Sequence, residues 1–322
     1  MAMVLSLKSI KKRRTNSSTN DDLPAPPVPQ QIKSKISAII ERITPDDIKD
    51  PTSKERFLSR LPPWLFGTVG GNTPCLEVRT HDALIIFDAG TGIRELGIAL
   101  SKDTQKPSVC HIFFSHLHWD HIQGLPFFGP AYNPSMELHL YSPHEELETA
   151  LQHQMRPPSF PITMDSMGAK KHFHHLTEPV ILGNTTVSFK KMNHPGASYA
   201  YLVDDGLHRF LYATDTELSA DDFQRTDENA AFFGGVDALV IDAQYTLGEA
   251  IEKYNWGHSA FSLAVDFASN WGIANLYLFH HDPTYDDKKL YNILQNARWY
   301  VERMAITGVQ VHLATEGLTI TL

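Results

Sequence analysis

One short stretch constrains this chain more than any other. The apolar, strand-prone run Cys110–Phe114 leads directly into Ser115-His116-Leu117-His118-Trp119-Asp120-His121, so four metal-ligating side chains sit on the loop leaving a buried strand. Sheets of α/β proteins place their sites at such strand exits. In an extended stretch His116 and His118 point to the same side and can share one ion, while the turn beyond Trp119 sends Asp120 and His121 toward a second position. One loop does not complete two sites, and further donors stand where later strand candidates run out: His194 in Asn193-His194-Pro195-Gly196, Asp215 in Ala213-Thr214-Asp215-Thr216, and His280 or His281 after Leu276–Phe279. Consecutive strand residues face opposite sides, so only one of His280 and His281 is expected to reach an ion.

The rest of the chain reads as a scaffold for such a loop. Strand candidates at Leu76–Arg79, Leu84–Asp88, Cys110–Phe114, Glu137–Tyr141, Thr186–Lys190, Tyr199–Val203, Phe210–Ala213, Leu239–Asp242, Leu276–Phe279 and Gln310–Leu313 alternate with helix candidates at Gly92–Leu100, His144–Gln154, Ser259–Asn270 and Asp286–Met304. Interleaving without a repeat predicts one layered α/β domain over 67–322. Ile36, Ile39, Ile40 and Ile43 fall at helical spacing and Asp50-Pro51 breaks the run, which predicts a short helical extension over 34–66. Residues 1–33, with Lys11-Lys12-Arg13-Arg14 followed by polar and proline-rich sequence, read as a disordered basic tail whose loss leaves turnover intact. No apolar run is long enough to span a membrane, no secretory pattern opens the chain, and two cysteines suit a reducing compartment, so a cytoplasmic protein is expected. A formal charge of −9 excludes a generally basic nucleic-acid-binding surface.

The order of these segments resembles that of the metallo-β-lactamase-fold hydrolases: Asp88-Ala89-Gly90 after a strand, the His116–His121 loop, a His, an Asp and a last His. The resemblance covers the chain from about Gly67 to Leu322 and implies a four-layer αββα sandwich with a dimetal site at one edge of its two sheets. It further implies that His116, His118 and His194 hold one divalent ion, that Asp120, His121 and His280 hold the other, and that Asp215 bridges them. It also implies a homodimer. Imidazole and carboxylate donors without thiolate favour zinc and admit manganese or iron.

Within that superfamily, Gly257-His258-Ser259-Ala260 resembles the Gly-His-Ser-Thr segment of ribonuclease Z, and Asp242-Ala243 its Glu-Ala. The resemblance implies that His258 serves the leaving oxygen and that Asp242 orients it, with Asp120 also in the catalytic set. The chain departs from ribonuclease Z in two places. Between His194 and Asp215 there is room for a hairpin but not for a long tRNA-gripping arm, and the last motif reads His280-His281-Asp282-Pro283. The expectation is a phosphodiesterase for a small phosphodiester such as a cyclic nucleotide, without specific tRNA binding. An ester, thioester or lactone hydrolase and a ribonuclease Z-type endonuclease are the alternatives. Trp119, Phe127 and Phe128 are candidates for stacking on a base; His172, His174 and His175 could line the pocket mouth but read rather as a solvated loop.

Overall fold

The computed structural model describes residues 4–8, 27–103 and 107–322. Among these, the strands are β1 (Val4–Lys8), β2 (Cys75–Arg79), β3 (Leu84–Phe87), β4 (Val109–Phe113), β5 (Glu137–Ser142), β6 (Lys170–His175), β7 (Val180–Leu182), β8 (Thr185–Met192), β9 (Ser198–Asp204), β10 (Arg209–Ala213), β11 (Ala238–Asp242), β12 (Asn275–Phe279), β13 (Gln310–Leu313) and β14 (Thr319–Thr321). The helices are α1 (Pro27–Ile40), α2 (Pro51–Arg60), α3 (Gly92–Lys102), α4 (Trp119–Ile122), α5 (Leu147–Gln154), α6 (Asp227–Phe233), α7 (Leu247–Glu252), α8 (Phe261–Trp271) and α9 (Asp287–Arg303). The strands form two seven-stranded sheets, ordered β14-β1-β2-β3-β4-β5-β6 and β13-β12-β11-β10-β9-β8-β7.

Alternation along the inner strands builds the layers. Ile85 and Phe87 of β3, Phe113 of β4, Ala238 and Val240 of β11, and Tyr277 and Phe279 of β12 all enter one cluster between the sheets. Their neighbours turn outward: Ile86, Cys110 and Ile112 pack beneath α3 and α5, and Leu239, Ile241, Leu276 and Leu278 pack beneath α8 and α9. Three apolar interfaces make four layers, the αββα sandwich expected from the motif order. Asp50 caps α2 by accepting from the Ser53 amide, with Pro51 in the first turn, so the break at Asp50-Pro51 is a helix start.

Two expectations need correction. Val4–Lys8 lies within the span read as a tail, yet it pairs antiparallel with both β2 and β14, and α1 begins at Pro27; the remainder of that tail reading lies outside the described residues. His172, His174 and His175 belong to β6, an edge strand, so they neither form a solvated loop nor line the mouth of the cavity beside the donors. The parallel register stacks their rings on the neighbouring strands, in rows His111–His139–His172 and Phe113–Tyr141–His174 with centroids 4.4–5.1 Å apart. Burial and the adjacent His139 and His174 push His111 down to about 4, which keeps its ring uncharged near neutrality.

Candidate metal centre

The donors come from both sheets. The central strands of each run parallel, β3 to β6 in one and β10 to β13 in the other, so their carboxyl ends gather at one edge of the sandwich. Asp88 follows β3, His116–His121 follow β4, Asp215 follows β10 and His280 follows β12. The first, third and last of these positions leave the strand direction abruptly: Asp88, Asp215 and His280 have φ of 60°, 43° and 53°. Non-glycine residues in this left-handed region cost on the order of 1 kcal/mol or more each, and such strain collects at functional sites.

Two groups of donors result. One ligand atom from each of His116, His118, His194 and Asp215 lies within 4.8 Å of the others, and the same holds for Asp120, His121 and His280. Asp215 joins the two. Its Oδ2 lies 3.6 Å from His116 Nε2 and 3.8 Å from His194 Nε2, while its Oδ1 lies 3.1 Å from both His121 Nε2 and His280 Nε2. Asp120 Oδ2 stands 3.7 Å from His121 Nε2 and from His280 Nε2. His281 sits beside His280 in the cavity wall and belongs to neither group.

Hydrogen bonds behind the rings fix which nitrogen faces the centre. His121 Nδ1 donates to Asp88 Oδ2 at 2.8 Å and His194 Nδ1 to the Gly257 carbonyl at 2.8 Å; both partners can only accept, so in the neutral form of each ring Nε2 carries its lone pair inward. Ser115 Oγ donates to Asp88 and therefore accepts from His116 Nδ1 at 3.1 Å, which turns His116 Nε2 inward as well. Asp88 is fully buried and also receives the Ser115 amide and the Tyr212 hydroxyl. Only its place after a strand singled Asp88 out in the sequence; Ser115 and Tyr212 carried no signal.

These residues fit divalent cations. His116 Nε2 is shielded from solvent and has no hydrogen-bond partner, a costly state for a polar atom unless an ion meets it. Although burial opposes ionisation, His280 and His121 hold the Asp215 carboxyl well below the usual carboxylate range. Burial likewise opposes charge on His121, yet Asp215, Asp88 and Asp120 hold it well above the ordinary imidazole value. So much buried negative charge demands a proton or a metal cation in its midst.

Beyond the donors lies an open cavity of about 450 Å³ lined by Thr73, Gln244, Tyr245, Lys253, Trp256 and His258, among others. His258 reaches it from the segment before α8. Gly257 holds φ +84°, and a Cβ there would lie 2.3 Å from His194 Nδ1, so the glycine lets this segment close on the donor set. Asp242, fully buried at the end of β11, accepts from His258 Nδ1 at 2.5 Å and from the amides of Thr216, Gln244 and Ser259. Burial works against protonation, but the Asp242 carboxylate pushes His258 up to about 9. The stacking candidates fare differently. Phe128 is core, Trp119 and Phe127 are exposed but outside the cavity lining, and Trp256, missed in the sequence, lines it.

Residues 84–281 match the β-lactamase superfamily domain family. The chain belongs to the β-lactamase superfamily. It is 26% identical over 274 residues to ribonuclease BN of Escherichia coli O1:K1 / APEC, covering 69% of this chain and 86% of that protein. Among solved structures it is similar to the metallo-β-lactamase fold protein YhfI from Bacillus subtilis, with a TM-score of 0.57 at 18% identity over 77% of this chain and 90% of that one. A diphosphatase from the PhnP family matches with a TM-score of 0.57 at 16% identity, over 99% of this chain and 97% of that one. This superfamily member thus carries His/Asp clusters suited to divalent metals on a metallo-β-lactamase fold, and no helix among the described residues is long and apolar enough to cross a membrane.

Proposed function

We propose that this protein is a dinuclear-metal phosphodiesterase acting on a small phosphodiester such as a cyclic nucleotide. The observation that carries this reading is the Asp242–His258 pair. A phosphodiester leaves as a basic alkoxide that needs a proton, and His258, held protonated by a buried carboxylate and facing the cavity, is placed to deliver one from Nε2. Asp242 positions the ring and keeps Nδ1 as a donor. His116, His118, His194 and Asp215 would hold one ion, and Asp120, His121, His280 and Asp215 the other. Bound zinc, or manganese or iron, would act as Lewis acid and supply a nucleophile at neutral pH.

The cavity chemistry agrees. Lys253 is the one lysine or arginine lining it among the described residues, clamped at 3.0 Å by Asp282 and held over the Tyr245 ring, where it can meet an anionic group. Trp256, about half exposed, offers a face on which a base can stack. Likeness to a ribonuclease is a further support for phosphodiester chemistry. Against a tRNA substrate, the segment between His194 and Asp215 is only the hairpin β9–β10, with no gripping arm. The deciding experiment assays metal-reconstituted protein with a bis-aryl phosphodiester, an aryl carboxylic ester, and a panel of cyclic and linear nucleotides. Turnover of the diester and of a nucleotide is expected. Turnover of the carboxylic ester alone would replace the reading with an ester, thioester or lactone hydrolase.

A further inference from the structure

Away from the cavity, the inner face of the first sheet carries a second concentration of donors. Glu137 and His139 stand two apart on β5, His172 and His174 two apart on β6, and the parallel register sets His139 opposite His172. A strand period of two brings all four onto one face, the same spacing that pairs His116 with His118. Phe113 and Tyr141 are buried on this face, His139 is half-buried and His172 is exposed, so the second sheet leaves this end open to solvent. The His139 ring lies 4.7 Å from His172 at 20° and 5.2 Å from His174 at 13°. One ligand atom from each of Glu137, His139 and His172 lies within 4.8 Å of the others. His139 Nδ1 is 3.0 Å from His174 Nε2, which leaves His139 Nε2 for a ligand and makes His174 the partner that orients it. Glu137 accepts from Lys170 at 2.7 Å, and that lysine is 66% exposed and free to turn to solvent.

We propose that Glu137, His139 and His172 form a separate transition-metal site, which takes Zn²⁺ through two imidazoles and one carboxylate and clamps the edge strand β6 to β5. Register is set by apolar pattern and is weakly specified in a polar strand. β6 has little apolar means to set it, since Phe173 is the only apolar side chain in Lys170–His175. None of the three ligands lines the catalytic cavity, so this site and the function proposed above stand or fall separately.

The test counts metal. Chelator-stripped protein is dialysed against Zn²⁺ in excess over all three donor groups beside His139→Phe/His172→Phe, in which phenyl rings preserve stacking and remove the ligands. Wild type is expected to retain roughly one ion per chain more than the variant, with hydrolysis unchanged. In an Asp215→Ala background the same pair should remove an ion that the catalytic donors do not hold, and Zn²⁺ should raise the melting temperature only where the pair is intact. Equal metal content in wild type and variant overturns the site, as does an extra ion that washes out at stoichiometric Zn²⁺. Should the double variant fail to fold, His172→Phe alone, on the exposed ring, decides by the same count.

Discussion

At the scale of single residues, the His258–Asp242 pair makes the sharpest demands on experiment. An acid catalyst helps in proportion to the basicity of the group it protonates, typically 10²–10⁴-fold. His258→Ala should therefore keep its metals, lose about that factor in kcat/KM on alkyl phosphodiesters, and lose far less on substrates that leave as stable phenolates. The pH profile supplies an independent reading. With His258 raised to about 9, the active protonated form persists through neutrality, and activity should fall as pH rises toward that value. Cations held by the donor groups would offset Asp120 and Asp215, which contribute to the shift, so the limb should lie between 6.5 and 9. Asp242→Asn removes the main source of the rise and should move the limb to lower pH with a milder loss of rate. A pH profile unchanged in both variants would take His258 out of proton transfer. Gly257→Ala bears on a neighbouring question: its methyl would strike the ring of His194, so weaker metal retention is expected at the first donor group, measurable by dialysis.

At the scale of elements, what the sequence disclosed depended on short continuous apolar runs. β3, β4, β11 and β12 put large apolar residues on both faces, and their positions were legible to within a residue or two. The donor loops were legible because they follow those strands. β6 was not, because Lys170-Lys171-His172-Phe173-His174-His175 is polar on the face that forms an imidazole ladder, a pattern that imitates a solvated loop. The left-handed turns at Asp88, Asp215 and His280, which aim the side chains, leave no mark without glycine. β1 was lost for another reason: five residues of Val4–Lys8 are an ordinary short strand whose partners, β2 and β14, lie far away in sequence. Its place carries a prediction. Among the described residues β14 pairs only with β1, so removing residues 1–8 strips β14 of its ladder and opens the edge of β2. The truncated protein should lose on the order of several kcal/mol of stability and all exchange protection in β14. Hydrolysis of a small substrate at low temperature should survive, since no donor lies there. Full thermal stability after truncation would mean that β1 contributes nothing to the sheet.

At the scale of the whole molecule, each donor group draws on both halves of the sandwich. His116 and His118 come from the first sheet and His194 and Asp215 from the second; Asp120 and His121 come from the first and His280 from the second. An ion in either group therefore ties the two sheets together at the edge where their strands end. Without ions, the buried Asp215 carboxylate is met by a proton held on His121, and His116 Nε2 has nothing to meet. Ions that bind only the folded chain stabilise it by about 2.7 kcal/mol each at a hundredfold excess over Kd, which in a protein of this size raises the melting temperature by about 5 °C per ion. Chelation should reverse that gain. At this edge its hydrogen-exchange signature should fall on 114–122, 192–196, 213–218 and 280–284, apart from any change in β5 and β6 around the separate site proposed there, with little change in α3 or α9 on the outer layers. Asp215→Ala should respond to neither metal nor chelator at this edge, because its two oxygens serve both groups. A melting temperature that chelation leaves unmoved in wild type would mean that the donors meet without binding ions, and the proposed chemistry would lose its foundation.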